Sequence, residues 1–386
     1  MRAIAITRRA FGRALVVGAA AAALGACALI PRGPRQPAPV ATPTPAPSAS
    51  TLPADRQRHR VALLVPMSGA NAAAGQSIAN ATTMALLDTN AANLRITTYD
   101  TAQGAREAAR KAITDGNRLI LGPLMGADIA PVLTEARAGR VPVVSFSNDT
   151  GVASADVFLM GQMPEQSIAR TVRHVRGRGG QSFAVLAPAG EYGERAEAAL
   201  KAAVARHGGR FAGAETYARG NTSVVSAAQR LKSRGGYDSV LIADGARLAA
   251  QGAAQLRASN VRILGTELWS GEASVARAPA LSGAVFSAVP DTRYQRFSDS
   301  YRARFGGAPY RIATLGYDAV LLTLRVARDW RPGSAFPADR LRDSGGFLGI
   351  DGAFRFGPNS VAERAMEVRE VRGGGVIVAD PAPAGF

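Results

Sequence analysis

The sequence predicts an α/β chain made of two similar lobes, and three observations carry this. From Arg60 onward, short apolar strands alternate with amphipathic helical stretches, the pattern of a parallel, doubly wound sheet. The same plan restarts at "SFAVLAPAGEYGERAEAALKAAVARHGG", which reads as strand, small-residue loop, Ala-rich helix and Gly-Gly stop. The chain, at 386 residues, is long enough for two such units once a non-globular N-terminus is set aside.

That N-terminus has two parts. In residues 1–27, Arg2, Arg8, Arg9 and Arg13 precede an Ala/Gly/Leu/Val run from Ala14 to Ala26, too short to span a bilayer and suited to an export signal. Residues 28–58 are rich in Pro, Ala, Ser and Thr, a composition that favours extended polyproline II and so a tether. Within the signal, "TRRAF" resembles the twin-arginine export signal, with Arg8 and Arg9 as the pair. "LGAC" resembles a lipobox, in which Cys27 would be lipidated. Cys27 is the only cysteine, which excludes intrachain disulfides and cysteine metal clusters.

In the first lobe, "RVALLVP" reads as a buried strand, "GQSIANATTMALLDTN" as a helix, "LRITTYD" as a strand and "AREAARKAITDG" as a helix closed by Gly116. "LILGPLMGADIAPVLTEARAGRVPVVSFSND" supplies the third and fourth strands with a helix between them. The second lobe continues through strand "RFAGAETY", helix "VVSAAQRLKSRGG", strand "DSVLIAD", helix "ARLAAQGAAQLRASN" and strand "RILGTELW". Two later helices, "RYQRFSDSYRARFG" and "RIATLGYDAVLLTLRVARDW", and two Gly-turned β segments, "FLGIDGAFRFGP" and "MEVREVRGGGVIVAD", complete the lobes instead of starting a third. The boundaries expected are 59–164 plus 291–342 for the first lobe and 165–290 plus 343–386 for the second. Two such lobes enclose a cleft with a ligand-closing hinge.

Open α/β sheets hold ligands beyond the C-terminal ends of their strands. The candidates there are Ser68 and Gly69 after the first strand, Met125 and Gly126 after the third, and Ser147, Asn148 and Asp149 after the fourth. In the second lobe they are Tyr192, Glu267 and Trp269. Ser68 and Gly69 suit either a backbone N–H ligand site or a tight strand-to-helix turn. Trp269 suits either a cleft platform or a core filler. Glu191 and Glu194 fit the first turn of a helix through its dipole, without a catalytic role. His59, His174 and His207 read as surface or helix-end residues without metal-ligand spacing, and no nucleophile or phosphate-loop motif occurs. A non-enzymatic protein without cofactor or metal is expected.

The formal charge is +17, of which the four signal arginines account for part, and only three of the 46 basic residues are lysine. No basic run with interleaved aromatics marks a nucleic-acid surface, so no nucleic-acid partner is expected. A positive field favours acidic polymers.

From Val61 on, "LLVPMSGANAAAGQSIANA", "LILGPLMG…VPVVSFSND", "EYG" and "LGYDAV" resemble the type I periplasmic binding proteins of the branched-chain amino acid class. "DSVLIADGARLAAQ", "ILGTELWSGE", "GIDGAFRFGPN" and "REVRGGGVIVADPAP" resemble the proteobacterial penicillin-binding protein activator lipoproteins. The resemblance implies a two-lobed type I binding fold, each lobe a doubly wound, mainly parallel sheet. In amino-acid-binding members, hydroxyls in two first-lobe loops hold the ligand carboxylate and a second-lobe acid holds its ammonium. Motif by motif, the first hydroxyl falls at Gly126 and the second at or beside Asp149. Glu267 falls on the ammonium-holding acid and Tyr192 on a cleft aromatic. The implied function is regulation of peptidoglycan synthesis by contact with a penicillin-binding protein, from a lipid anchor on the periplasmic face of the outer membrane. The alternative is a solute-binding component of an ABC importer for an amino acid or other small amine.

Overall fold

The computed structural model describes residues 57–220, 222–257 and 260–385, all within one unit, Ala54–Phe386. Cys27, Arg8, Arg9 and nearly all of the 28–58 tether lie outside the described residues.

The first lobe begins with β1 (His59–Val65), whose residues are almost all buried, as befits a central parallel strand covered on both faces. There follow α1 (Ala72–Asp88), β2 (Leu94–Asp100), α2 (Ala105–Thr114), β3 (Ile120–Leu121), α3 (Ile129–Gly139), β4 (Val143–Ser145) and β5 (Val157–Leu159). The strands are all parallel, in the order β2-β1-β3-β4-β5. Helix α2 shows why these segments fold as they do. Ala105, Ala108, Ala109 and Ala112 form its buried stripe, Glu107 sits in its first turn and Lys111 in its last, so spacing and dipole agree.

The second lobe repeats the plan through α4 (Pro164–Arg176), β6 (Ser182–Pro188), α5 (Glu191–Arg206), β7 (Arg210–Tyr217), α6 (Ser223–Arg234), β8 (Ser239–Ile242), α7 (Ala246–Leu256), β9 (Arg262–Leu264), α8 (Ala273–Arg277) and β10 (Val285–Ala288). Its parallel strands run β7-β6-β8-β9-β10, the first lobe's order over again. The reversal of winding falls between β1 and β3 in one lobe and between β6 and β8 in the other, the position of ligand crevices in such sheets.

The remaining elements are α9 (Thr292–Phe305), α10 (Ala313–Ala327), β11 (Phe347–Gly349), β12 (Gly352–Phe356), β13 (Ala362–Arg364), β14 (Glu367–Arg372) and β15 (Gly375–Asp380). Helix α10 packs on α1, and β14 and β15 extend the second sheet antiparallel beyond β10. The small sheet β11-β12-β13 differs from expectation. Residues 343–386 were assigned to the second lobe, yet Phe347, Phe354, Phe356 and Ala362 share a core with Leu63, Val65, Phe158 and Val320 of the first. The cause is aromatic packing: Phe356 meets Phe158 edge-on at 5.2 Å, and Arg364 lies over the ring of Phe354. Only β14 and β15 return to the second lobe.

The chain therefore crosses between lobes three times, after β5, after β10 and after β13. A buried polar network ties the crossings together. Asp351 accepts from Gln162 Nε2 at 2.9 Å, Thr314 Oγ1 at 3.0 Å and Arg311 Nη1 at 2.7 Å. Arg311 and Arg369 both pair with Asp291. Burial raises the Asp318 pKa to about 7, aided by the charge of Asp351, whose own pKa is held down against burial by Arg311 and Arg364.

Candidate ligand cleft

The first lobe contributes three loops at its strand ends. Ser68 is not free to meet a ligand: its Oγ donates to Asp100 Oδ2 at 2.8 Å and accepts from Gln103 at 2.8 Å. With Asp100 also accepting from the Met67 N–H, this is a strand-to-helix turn fastened by one carboxylate. Gly69, at φ +72°, supplies the left-handed step of that turn. Met125 is 41% exposed and its sulfur accepts from Asn71 Nδ2 at 3.7 Å.

Gly126, Ser147 and Asp149 come together. A Cβ on Gly126 would lie 3.1 Å from Asp149 Oδ2 and 3.4 Å from Ser147 Oγ. Ser147 Oγ already accepts from the Asp149 N–H at 3.1 Å, and Asp149 Oδ1 accepts from the Gly151 N–H at 2.8 Å. This rim presents a bare glycine, an acid and the Ser147 hydroxyl. Asn148 is used through its backbone: its carbonyl accepts from Arg195 of α5, across the cleft.

The second lobe contributes Tyr192, in the first turn of α5, and Glu267, three residues past β9. The Tyr192 hydroxyl lies 2.9 Å from Glu267 Oε1 and 3.0 Å from Thr266 Oγ1. Glu267 is only 6% exposed, and its Oε2 has no hydrogen-bond partner. Burial pushes its pKa up to about 7, although the Tyr192 hydrogen bond acts in the opposite direction; the charge of Glu165 adds to the rise and that of Arg195 opposes it. The Tyr192 pKa is raised well above the phenol value by burial and by the Glu267 charge.

Trp269 settles as core. It is 1% exposed, donates Nε1–H to the Asp244 carbonyl at 2.8 Å, and lies 5.4 Å from the Phe286 ring. The turn that begins at Thr266 rotates its indole into the second lobe's apolar cluster, so it offers no platform to the cleft. Glu191 and Glu194 do occupy the first turn of α5. His59, expected at the surface or a helix end, is buried and stacks on Trp330 at 4.1 Å; His174 does stand at a helix end, in the last turn of α4, where it is buried and contacts Asp380.

Sequence reasoning missed Glu165 and Arg195. Arg195 Nη2 pairs with Glu165 Oε1 at 2.8 Å while reaching the Asn148 carbonyl, and Glu165 Oε2 is also buried without a partner. Glu165 stands in the first turn of α4, where the helix dipole accounts for an acid on its own, so nothing local marked it. Also missed was the pair of Tyr217 and Arg219 on Asp244, at 2.9 and 3.0 Å, beside the Tyr192 ring.

A family model described as periplasmic binding protein matches residues 59–375. Among solved structures, a putative branched-chain amino acid ABC transporter protein from Rhodospirillum rubrum is similar at TM-score 0.71 and 21% identity, over 83% of this chain and 99% of that one. A solute-binding protein from R. palustris, in complex with 4-hydroxybenzoate, gives TM-score 0.67 at 15% identity, over 85% and 98%. The substrate-binding protein LivJ of Streptococcus pneumoniae, in complex with isoleucine, gives 0.63 at 18%, over 84% and 100%. An uncharacterized protein of Rickettsia prowazekii is 25% identical over 142 residues, 36% of this chain and 38% of that relative's length.

Proposed function

Because the chain belongs to the periplasmic binding protein family, we propose that it is a solute-binding component of an importer, closing two lobes on a small solute that carries an amine. The observation behind this is the pair of buried carboxylates, Glu267 and Glu165, each with one oxygen unpartnered, next to a first-lobe rim bearing Asp149 and no side-chain donor at Gly126. A buried carboxylate oxygen without a donor is costly, and an ammonium group entering between Glu267 and Tyr192 would satisfy it. Solved proteins of this fold bind isoleucine in one case and 4-hydroxybenzoate in another, so the scaffold itself does not choose the solute.

Free branched-chain amino acids fit this cleft poorly. Each charge-assisted contact their carboxylate fails to make removes roughly 1.5–3 kcal/mol, and Asp149 adds repulsion. Calorimetry should show small primary amines binding with proton release, since an ammonium drives Glu267 to ionise, and Glu267→Gln should abolish both heat and release. Leucine, isoleucine and valine should show no micromolar binding. Tight binding of any of these three would overturn the exclusion of free amino acids, and a cleft indifferent to every amine and amino acid tried would overturn the amine assignment.

A second reading, regulation of a penicillin-binding protein from an outer-membrane lipid anchor, draws support from the Pro-rich stretch and the lost hydroxyls at Gly126 and Asp149. Deleting Pro34–Pro53 would then impair cell-wall synthesis without unfolding the protein.

A further inference from the structure

Away from the cleft, four arginines gather where α4 and α5 end. Arg170 and Arg173 lie one turn apart on α4, Arg178 follows its end, and Arg206 is the last residue of α5. Arg170, Arg173, Arg206 and His207 line a cavity of about 540 Å³ whose opposite wall includes Asn359 and Glu363. A neighbouring concavity of about 510 Å³ shares Arg170 and Arg173 and adds His174, Arg178 and Asp380. Together they form one basic trough.

The acids in this trough are already engaged. Glu363 accepts from Arg355 Nε at 2.8 Å, and Asp380 pairs with Arg170 at 2.8 Å and contacts His174 at 3.4 Å. Arg176 is also committed, to the carbonyls of His207, Gly180 and Gly208. Among the described residues, Arg173 and Arg206 have no ion-pair partner, and both are exposed at the cavity. His207 senses the resulting field: its pKa is lowered first by desolvation and then by the charges of Arg173, Arg206 and Arg176.

We propose that this trough binds a phosphate group, with the Arg173 and Arg206 guanidinium groups as its ligands and His207 at its edge. Guanidinium groups match phosphate oxygens in charge and in paired N–H geometry, and two of them lining one cavity without an ion-pair partner are relieved by a dianion. The cavity holds a phosphomonoester headgroup or a sugar phosphate, and these two sources share the recognised chemistry. None of these residues contacts Glu267 or Tyr192, so the site stands apart from the amine cleft.

The test follows the ring protons of the three histidines by NMR in the full chain. Phosphate, and sulfate as an oxyanion of constant charge across the histidine range, should raise the His207 pKa toward 6.5, whereas chloride at equal ionic strength should not. Arg173→Gln with Arg206→Gln should weaken the response by at least about tenfold, and Arg106→Gln, on the first lobe, should leave it intact. Should the double variant fold poorly by circular dichroism, each single variant is read instead. Retention on phosphatidic acid vesicles, displaced by free phosphate and absent from phosphatidylcholine vesicles, would support the site with a lipid headgroup as source. Glucose 6-phosphate binding without vesicle retention would support it with a soluble source. A His207 response no greater for phosphate than for chloride, or one that persists unchanged in the arginine variants, would overturn the proposal.

Discussion

A carboxyl group sealed among protein atoms stays ionised only when donors or cations face both of its oxygens, and Glu267 has a donor on one. Its pKa is therefore raised from 4.5 to about 7. The unfolded chain gives up this proton at lower pH than the folded one, so between pH 4.5 and 7 the folded state holds more protons and stability falls as pH rises. The full effect amounts to about 3 kcal/mol by pH 7. Urea denaturation at pH 5 and pH 7 should show wild type losing more stability across this interval than Glu267→Gln, by about 2 kcal/mol. Equal losses would mean that Glu267 is not sealed. At this scale the motifs singled out Tyr192 and Glu267, which the structure brings within hydrogen-bond reach of each other. The sequence was not readable where one residue type suits two environments. Trp269 fits cleft or core equally until the turn at Thr266 aims its ring, and Arg195 is one arginine among 43 until α4 and α5 are placed side by side.

Strands and helices were more legible, because each rests on local periodicity. β2 and β7 coincide with "LRITTYD" and "RFAGAETY", and the Gly-turned C-terminal segments do form hairpins. The partner of a short hairpin was hidden, since β11 and β12 alternate apolar residues that suit either lobe's surface, and only their Phe contacts decide. A deeper correspondence lies in the glycines that open α1 and α5. A Cβ on Gly75 would come within 1.8 Å of the Pro66 carbonyl oxygen, and one on Gly193 within 1.8 Å of the Pro188 carbonyl oxygen. In each lobe the helix that follows the first strand thus rests its backbone directly on that strand's end, which brings the helix N-terminus to the cleft. Gly75→Ala and Gly193→Ala should each cost about 1–3 kcal/mol by urea denaturation, toward the upper end because the obstacle is backbone. Gly307→Ala, which meets nothing within 4 Å, should be nearly neutral. A neutral Gly75→Ala would show that helix and strand are not in this contact.

For the molecule as a whole, the repeated strand order and the three crossings divide the work between rigid lobes and a narrow hinge. The Asp351, Arg311 and Asp291 network fixes the crossings, so relative motion is directed toward the cleft mouth. There the Arg195 guanidinium, carried by the second lobe and oriented by Glu165, donates to the Asn148 carbonyl of the first. This charge-assisted bond spans the cleft next to Glu267 and exists only when the lobes are together. Its loss should shift the balance of closed and open forms by roughly 1.5–3 kcal/mol, about a ten- to hundredfold change in their ratio. Arg195→Ala should therefore show a larger radius of gyration by small-angle X-ray scattering than wild type, with unchanged circular dichroism. Arg195→Lys should fall between them, because an ammonium keeps the charge but cannot serve Glu165 and Asn148 with one planar fork. An amine that bridges the lobes should return the alanine variant to the compact form, at a higher concentration than wild type requires. Superimposable scattering curves for wild type and Arg195→Ala, without any solute, would show that the bond does not hold the lobes together.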